Sequence, residues 1–108
     1  MKTQLLPLGF ALLGASVMAQ TTDTNKTINT LGVQNASPTL AYFSAVQGFT
    51  LNCEYGVIYI DITVPFGQAA YAQLLAAKIS GTTLSTVTYT QPGGAGTPCN
   101  LSLVEIAN

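Results

Sequence analysis

The sequence predicts an α+β domain: a small antiparallel sheet with one helix, about residues 66–80, packed on it, closed by one disulfide. Three observations carry this prediction. From Val57 to Val64 the chain alternates, with Ile58, Ile60, Ile62 and Val64 on one face and Tyr59, Asp61 and Thr63 on the other, the period of a half-buried strand. From Phe66 to Ser80 it consists mainly of helix formers bounded by Pro65 and Gly81. The only two cysteines, Cys53 and Cys99, each stand just ahead of a strand-like segment.

The chain opens with Lys2, an apolar run from Leu5 to Leu13, and Val17 and Ala19 at positions that suit a leader peptidase. Residues 1–19 therefore read as a signal peptide cut after Ala19, which makes the product secreted or periplasmic. The apolar stretch is short for a membrane span and holds Pro7 and Gly9, so no membrane insertion is expected after cleavage. Residues 20–39 are rich in Thr and Asn and read as a flexible arm, with one short strand near Ile28–Val33. The disulfide-stapled, β-rich domain is expected to be 40–108. Within it, Leu40–Asn52 reads as a strand, or as two bent at Gly48, and precedes the Val57–Val64 strand. After the helix come a Thr-rich strand, Leu84–Thr90, a Pro92–Gly96 loop and a last strand from Leu101 to Ile106. On the helix, Tyr71, Leu74, Leu75 and Ile79 gather on a large apolar face expected to meet the sheet. Ala69, Gln73, Ala76, Ala77 and Ser80 form a small, uncharged face opposite, read either as ordinary surface or as a partner face for self-association.

An exported chain with two cysteines is expected to pair them. Closing a loop of 46 positions between Cys53 and Cys99 is worth about 4 kcal/mol by the loop-entropy relation. No metal is expected, because two thiolates without any His leave a tetrahedral site half built. Past residue 19 the charged side chains are Asp23, Lys26, Glu54, Asp61, Lys78 and Glu105, with no Arg. Two lysines cannot neutralise a phosphate backbone, so nucleic acid is not expected as a partner.

Catalysis is not expected either. Without His, the Ser–His and Cys–His arrangements do not exist, and three scattered acids beside Asp23 suggest no carboxylate pair. The Gly-rich loop is followed by Pro98, Cys99 and a strand rather than a helix N-terminus, so it is read as a plain connection and no cofactor is expected. Asp23-Thr24-Asn25 carries oxygen ligands without the rest of a cation loop, and Asn25, Asn35 and Asn100 begin glycosylation sequons. The five tyrosines offer amphipathic rings suited to sugar faces and to protein partners. Tyr55 and Tyr59 are the candidate ligand aromatics, Tyr59 because it departs from the aliphatic face of its strand.

Cys53, the strand Gly56-Val57-Ile58-Tyr59-Ile60-Asp61, the helix Ala69–Lys78, Gly81 and Cys99 resemble a group of small exported bacterial single-disulfide domains. More distantly the order of elements is similar to that of the sugar-binding B subunits of pentameric bacterial toxins. That resemblance implies a partly open, OB-like barrel, a homo-oligomer through the helix, and glycan recognition; it assigns no binding residue. The expected function is that of an exported, non-enzymatic domain acting by binding or self-association, with a glycan or protein ligand. The alternative is a structural surface subunit that polymerises by strand addition through its arm.

Overall fold

The computed structural model describes residues 20–107; the leader read at 1–19 lies outside them. Among the described residues six strands and one α-helix make up the fold: β1 (Thr21–Lys26), β2 (Ile28–Gln34), β3 (Leu40–Ala45), β4 (Ile58–Asp61), α1 (Pro65–Ser80), β5 (Leu84–Thr90) and β6 (Cys99–Ile106). The strands form a single sheet in the order β1-β5-β6-β4-β3-β2. Every pairing is antiparallel except β4 with β6, so the sheet is mixed rather than wholly antiparallel. The parallel pair arises because α1 and β5 carry the chain across between β4 and β6. A connection of this kind returns a strand in the same direction.

The stretch expected to be a flexible arm supplies both edges of the sheet. Thr21 to Lys26 pair with Tyr89 to Leu84, and Leu31 to Gln34 pair with Phe43 to Leu40. Only Thr27 separates β1 from β2, yet they sit at opposite edges. The sheet therefore curls until its two edges meet at that corner. No ladder joins them, and the sheet is not closed into a barrel. Loop 46–50 closes the corner: Val46 N–H donates to Thr27 O (2.9 Å), and Thr27 N–H donates to Gln47 Oε1 (2.9 Å).

The core follows the alternation. Ala41, Phe43, Ile58, Ile60, Leu84, Val87, Tyr89, Cys99 and Leu101 point inward. In β6 a bulge opposite Thr88 and Tyr89 shifts the phase, which lets Leu101 and then Val104 and Ile106 all face the core. Phe49, from the loop after β3, packs edge-on against Phe43 at 5.6 Å and tilts against Tyr89 at 5.7 Å.

α1 has the expected ends, with Pro65 in its first turn and Gly81 at φ 72° just past its last. Its packing face is only half the expected one, since Leu74 is buried and Tyr71 packs half-buried against the core but Leu75 and Ile79 do not. Gly67, Ala70, Leu74 and Ala77 are buried, whereas Leu75 and Ile79 are 40% and 78% exposed. The reason is close approach: a Cβ on Gly67 would lie 1.8 Å from the carbonyl oxygen of Asp61. At that separation mainly small side chains fit directly beneath the helix, with Leu74 filling a deeper position and Tyr71 packed half-buried beside it. Ala77, expected on the outer face, is therefore a core residue, while Ala69, Gln73, Ala76 and Ser80 do face solvent. Lys78 ties the helix to the edge strand β2, donating to Asn29 O at 3.0 Å.

Beneath the loop after β3, the carboxylate of Asp23 turns inward and is only 5% exposed. Thr50 N–H and Tyr89 O–H both donate to its Oδ2, at 2.9 and 2.8 Å, and the Thr50 hydroxyl donates to Oδ1 at 2.5 Å. Burial alone would raise this carboxyl, but the bonds from Thr50 and Tyr89 outweigh it and hold it below its ordinary value. Burial pushes the Tyr89 phenol up to about 12, assisted by the neighbouring Asp23 charge. The potential oxygen ligands read at Asp23-Thr24-Asn25 thus serve the fold: Asp23 is saturated by donors.

Candidate functional site

On the face of the sheet away from the helix, three register-matched positions line up across β2, β3 and β4. Gly32 is opposite Tyr42, and Tyr42 is opposite Tyr59. Each tyrosine faces outward because its neighbours Ala41, Phe43, Ile58 and Ile60 face in. The Tyr42 ring lies directly over Gly32, where a Cβ would come within 2.5 Å of it. Gly32 thus gives the ring a flat bed, and Tyr42 meets Tyr59 edge to face at 6.4 Å and 62°.

The wall of the site is a short 3₁₀ turn, Glu54–Gly56, which sits between the disulfide and β4. Cys53 and Cys99 are bonded, with their Cα atoms 5.4 Å apart. The turn is pinned from both sides. Glu54 N–H donates to Thr97 O (3.1 Å) and Gly96 N–H to Asn52 O (2.8 Å). Gln91 Nε2 bridges Asn52 O and Thr97 O, at 2.7 and 2.9 Å. The Pro92–Gly96 loop is accordingly a brace for this turn. Within the turn Tyr55 is held at φ 56°, a left-handed conformation unusual for a bulky residue, with its side chain 84% exposed. Backbone strain of this kind persists only where its surroundings impose it, and it concentrates at functional positions.

Together these elements enclose an outward-facing cleft of about 530 Å³ lined by Val33, Gln34, Tyr42, Glu54, Tyr55, Val57 and Tyr59. A second hollow of about 260 Å³ adjoins it on the far side of Tyr59, lined among others by Leu40, Asp61, Phe66 and Asn100. Partial burial raises the Tyr59 phenol above its ordinary value, reinforced by the charge of Glu54 and by Tyr55 and Tyr42. Asp61 bonds both the N–H (2.9 Å) and the hydroxyl of Thr63, which lowers its carboxyl and fixes the entry to α1.

Chemically the cleft offers ring faces, phenolic hydroxyls, one amide and one carboxylate. These groups can stack on and hydrogen-bond a ligand, and the lining holds one carboxylate, that of Glu54. Among the described residues no group of three or more His, Cys, Asp or Glu gathers as a metal site. Of the positions singled out in the sequence, Tyr55 and Tyr59 come together here. The exposed helix residues Ala69, Gln73, Ala76 and Ser80 lie on the opposite side of the sheet. Sequence reasoning counted Tyr42 among five tyrosines without singling it out, and did not place Glu54, Gln34, Val33 or Val57 in a site. For Tyr42 the signal existed, since it alternates with Ala41 and Phe43; for Gln34 and Val33 only the β2–β3 register supplies it. No family model, curated protein or solved structure matches the chain.

Proposed function

We propose that this chain is an exported, non-enzymatic recognition domain and that its ligand, a glycan, seats in the tyrosine cleft. The observation that carries the reading is the convergence of Tyr42, Tyr55 and Tyr59 on one outward cleft, with Tyr55 held in a strained conformation by a disulfide-pinned turn. Ring faces stack on the apolar faces of sugars while hydroxyl, amide and carboxylate groups take the sugar hydroxyls. Prearranging these groups removes part of the ordering cost that weak ligands otherwise incur. Glycans are the ligand class suggested by an order of elements that, in the sequence, resembles that of the toxin B subunits. The disulfide, and the lack among the described residues of a helix long and apolar enough to cross a membrane, are compatible with work outside the cytoplasm.

A glycan array probed with the oxidised protein tests this, followed by titration of Y55A and Y59A with any hit. Loss of binding in both variants at unchanged melting temperature is the expected result. A glycan bound equally well by both variants would remove the cleft from consideration. A second reading, self-association through the helix, is favoured by the exposure of Phe66, Leu75 and Ile79 on α1. Light scattering on wild type and I79E distinguishes it: an oligomer that I79E dissolves supports it, and a monomeric wild type excludes it.

A further inference from the structure

The charge in and around the cleft is one-sided. Glu54 is the single ionised side chain in its lining, and Asp61 stands in the adjoining hollow beyond Tyr59. Neither lysine of the described residues answers them. Lys78 is occupied by Asn29 O on β2, and Lys26 ends β1 next to Thr27, at the opposite end of β2 from Val33 and Gln34. The ring faces of Tyr42, Tyr55 and Tyr59 carry negative quadrupole, which attracts a cation and repels an anion. Burial and the Glu54 charge also keep the Tyr59 phenol protonated, so the hydroxyl stays neutral well above pH 7.

From this we infer that the tyrosine cleft selects ligands carrying a cationic nitrogen, a protonated amine or a quaternary ammonium, with Glu54 as counter-charge. The inference rests on the cleft being the binding site and adds the charge of the ligand. A cationic nitrogen fits what is present: a carboxylate for its charge, ring faces for its methyl or ring carbons, and room in 530 Å³ for the rest of the molecule. An anionic sugar would meet Glu54 with no Arg or Lys to offset it.

The chain has no Trp, so its emission is that of tyrosine, and three of its five tyrosines line the cleft. Fluorescence titration of the oxidised protein can therefore compare matched pairs: choline against its uncharged isostere 3,3-dimethyl-1-butanol, and glucosamine oligomers against N-acetylglucosamine oligomers. In at least one pair the cationic member should bind about fivefold or more tighter, and E54Q should reduce that preference to under about twofold. Preference in the choline pair identifies a quaternary ammonium, and preference in the glucosamine pair an amino sugar. Equal binding within both pairs, or a preference that E54Q leaves intact, overturns charge selection while leaving the cleft as the site. No response to any of the four, with glycans bound elsewhere or not at all, overturns the site itself.

Discussion

Tyr89→Phe removes one oxygen from the most constrained polar group in the molecule, and its cost can be worked from the geometry. The ring is fully buried, and its hydroxyl both donates to Asp23 Oδ2 at 2.8 Å and accepts from Leu51 N–H at 3.2 Å. Phenylalanine keeps the packing against Phe49 and deletes both bonds. A hydrogen bond to a charged group contributes about 1.5–3 kcal/mol, and an orphaned buried N–H costs about 1–3 kcal/mol; because Thr50 still donates to Asp23 in the variant, the combined loss is taken near the low end of their sum, about 3 kcal/mol. For a domain of this size each kcal/mol moves the melting temperature by about 4–8 °C, which gives a fall of roughly 15 °C. Circular-dichroism melts from pH 2 to 12 read both this and its linkage. The Asp23 carboxyl is lowered, so its contribution is present above its ordinary value near 3.8 and is lost as pH falls through the lowered one. The Tyr89 phenol is raised, so its contribution is present below about pH 10 and is lost as pH rises from there to about 12. In Y89F the share of the alkaline limb due to Tyr89 should vanish. Y55F, at an 84% exposed position, should melt like wild type. A fall of less than about 3 °C in Y89F, or an unchanged alkaline limb, would refute the claim that these bonds hold the loop over the core.

Three further outcomes are expected. The double variant C53A/C99A should lose about 4 kcal/mol in urea denaturation and should bind cleft ligands more weakly even where it remains folded, because the Glu54–Gly56 turn loses its anchor. Tyr55→Asn should be neutral or stabilising by up to about 1 kcal/mol, since Asn tolerates the φ of 56°, while ligand binding falls; melts and titrations on the same sample separate the two. Gly67→Ala should destabilise by about 2 kcal/mol or more, because its Cβ would strike the Asp61 carbonyl, whereas Ile79→Ala, at a 78% exposed position, should leave the melting temperature nearly unchanged.

The ends of α1, the Cys53–Cys99 bond and the first half of the expected Val57–Val64 strand were legible because each rests on a local signal: Pro and Gly at the helix ends, an isolated cysteine pair, and strict alternation; β4 stops at Asp61, and Val64 is instead the exposed N-cap of α1. β1 was not legible. Its inward position is taken by Asp23 rather than an aliphatic residue, so no hydrophobic period marks it, and only the strand preference of its threonines pointed the right way. The helix face was half misjudged, Leu74 and Tyr71 packing as expected and Leu75 and Ile79 not, for a related reason. Counting large side chains assumes a helix that stands off its sheet, and the contact of Gly67 with the Asp61 backbone brings this one close enough to bury Ala70 and Ala77 instead of Ile79. The cleft was half visible: Tyr59 shows itself by breaking an aliphatic pattern, but Tyr42 joins it only through cross-strand register and Glu54 only through a left-handed turn.

The corner at Thr27 makes one short stretch of chain the guardian of both seams of the sheet. A protease that trimmed the chain as far as Gln34 would strip β1 and β2 together. The remaining four strands would end in β5 and β3, whose backbone N–H and C=O groups would be newly bare, with Val87, Tyr89 and Phe43 close behind them. Such a remnant is a template for edge-to-edge aggregation, so the Thr- and Asn-rich segment that looks dispensable shields both edges of the sheet.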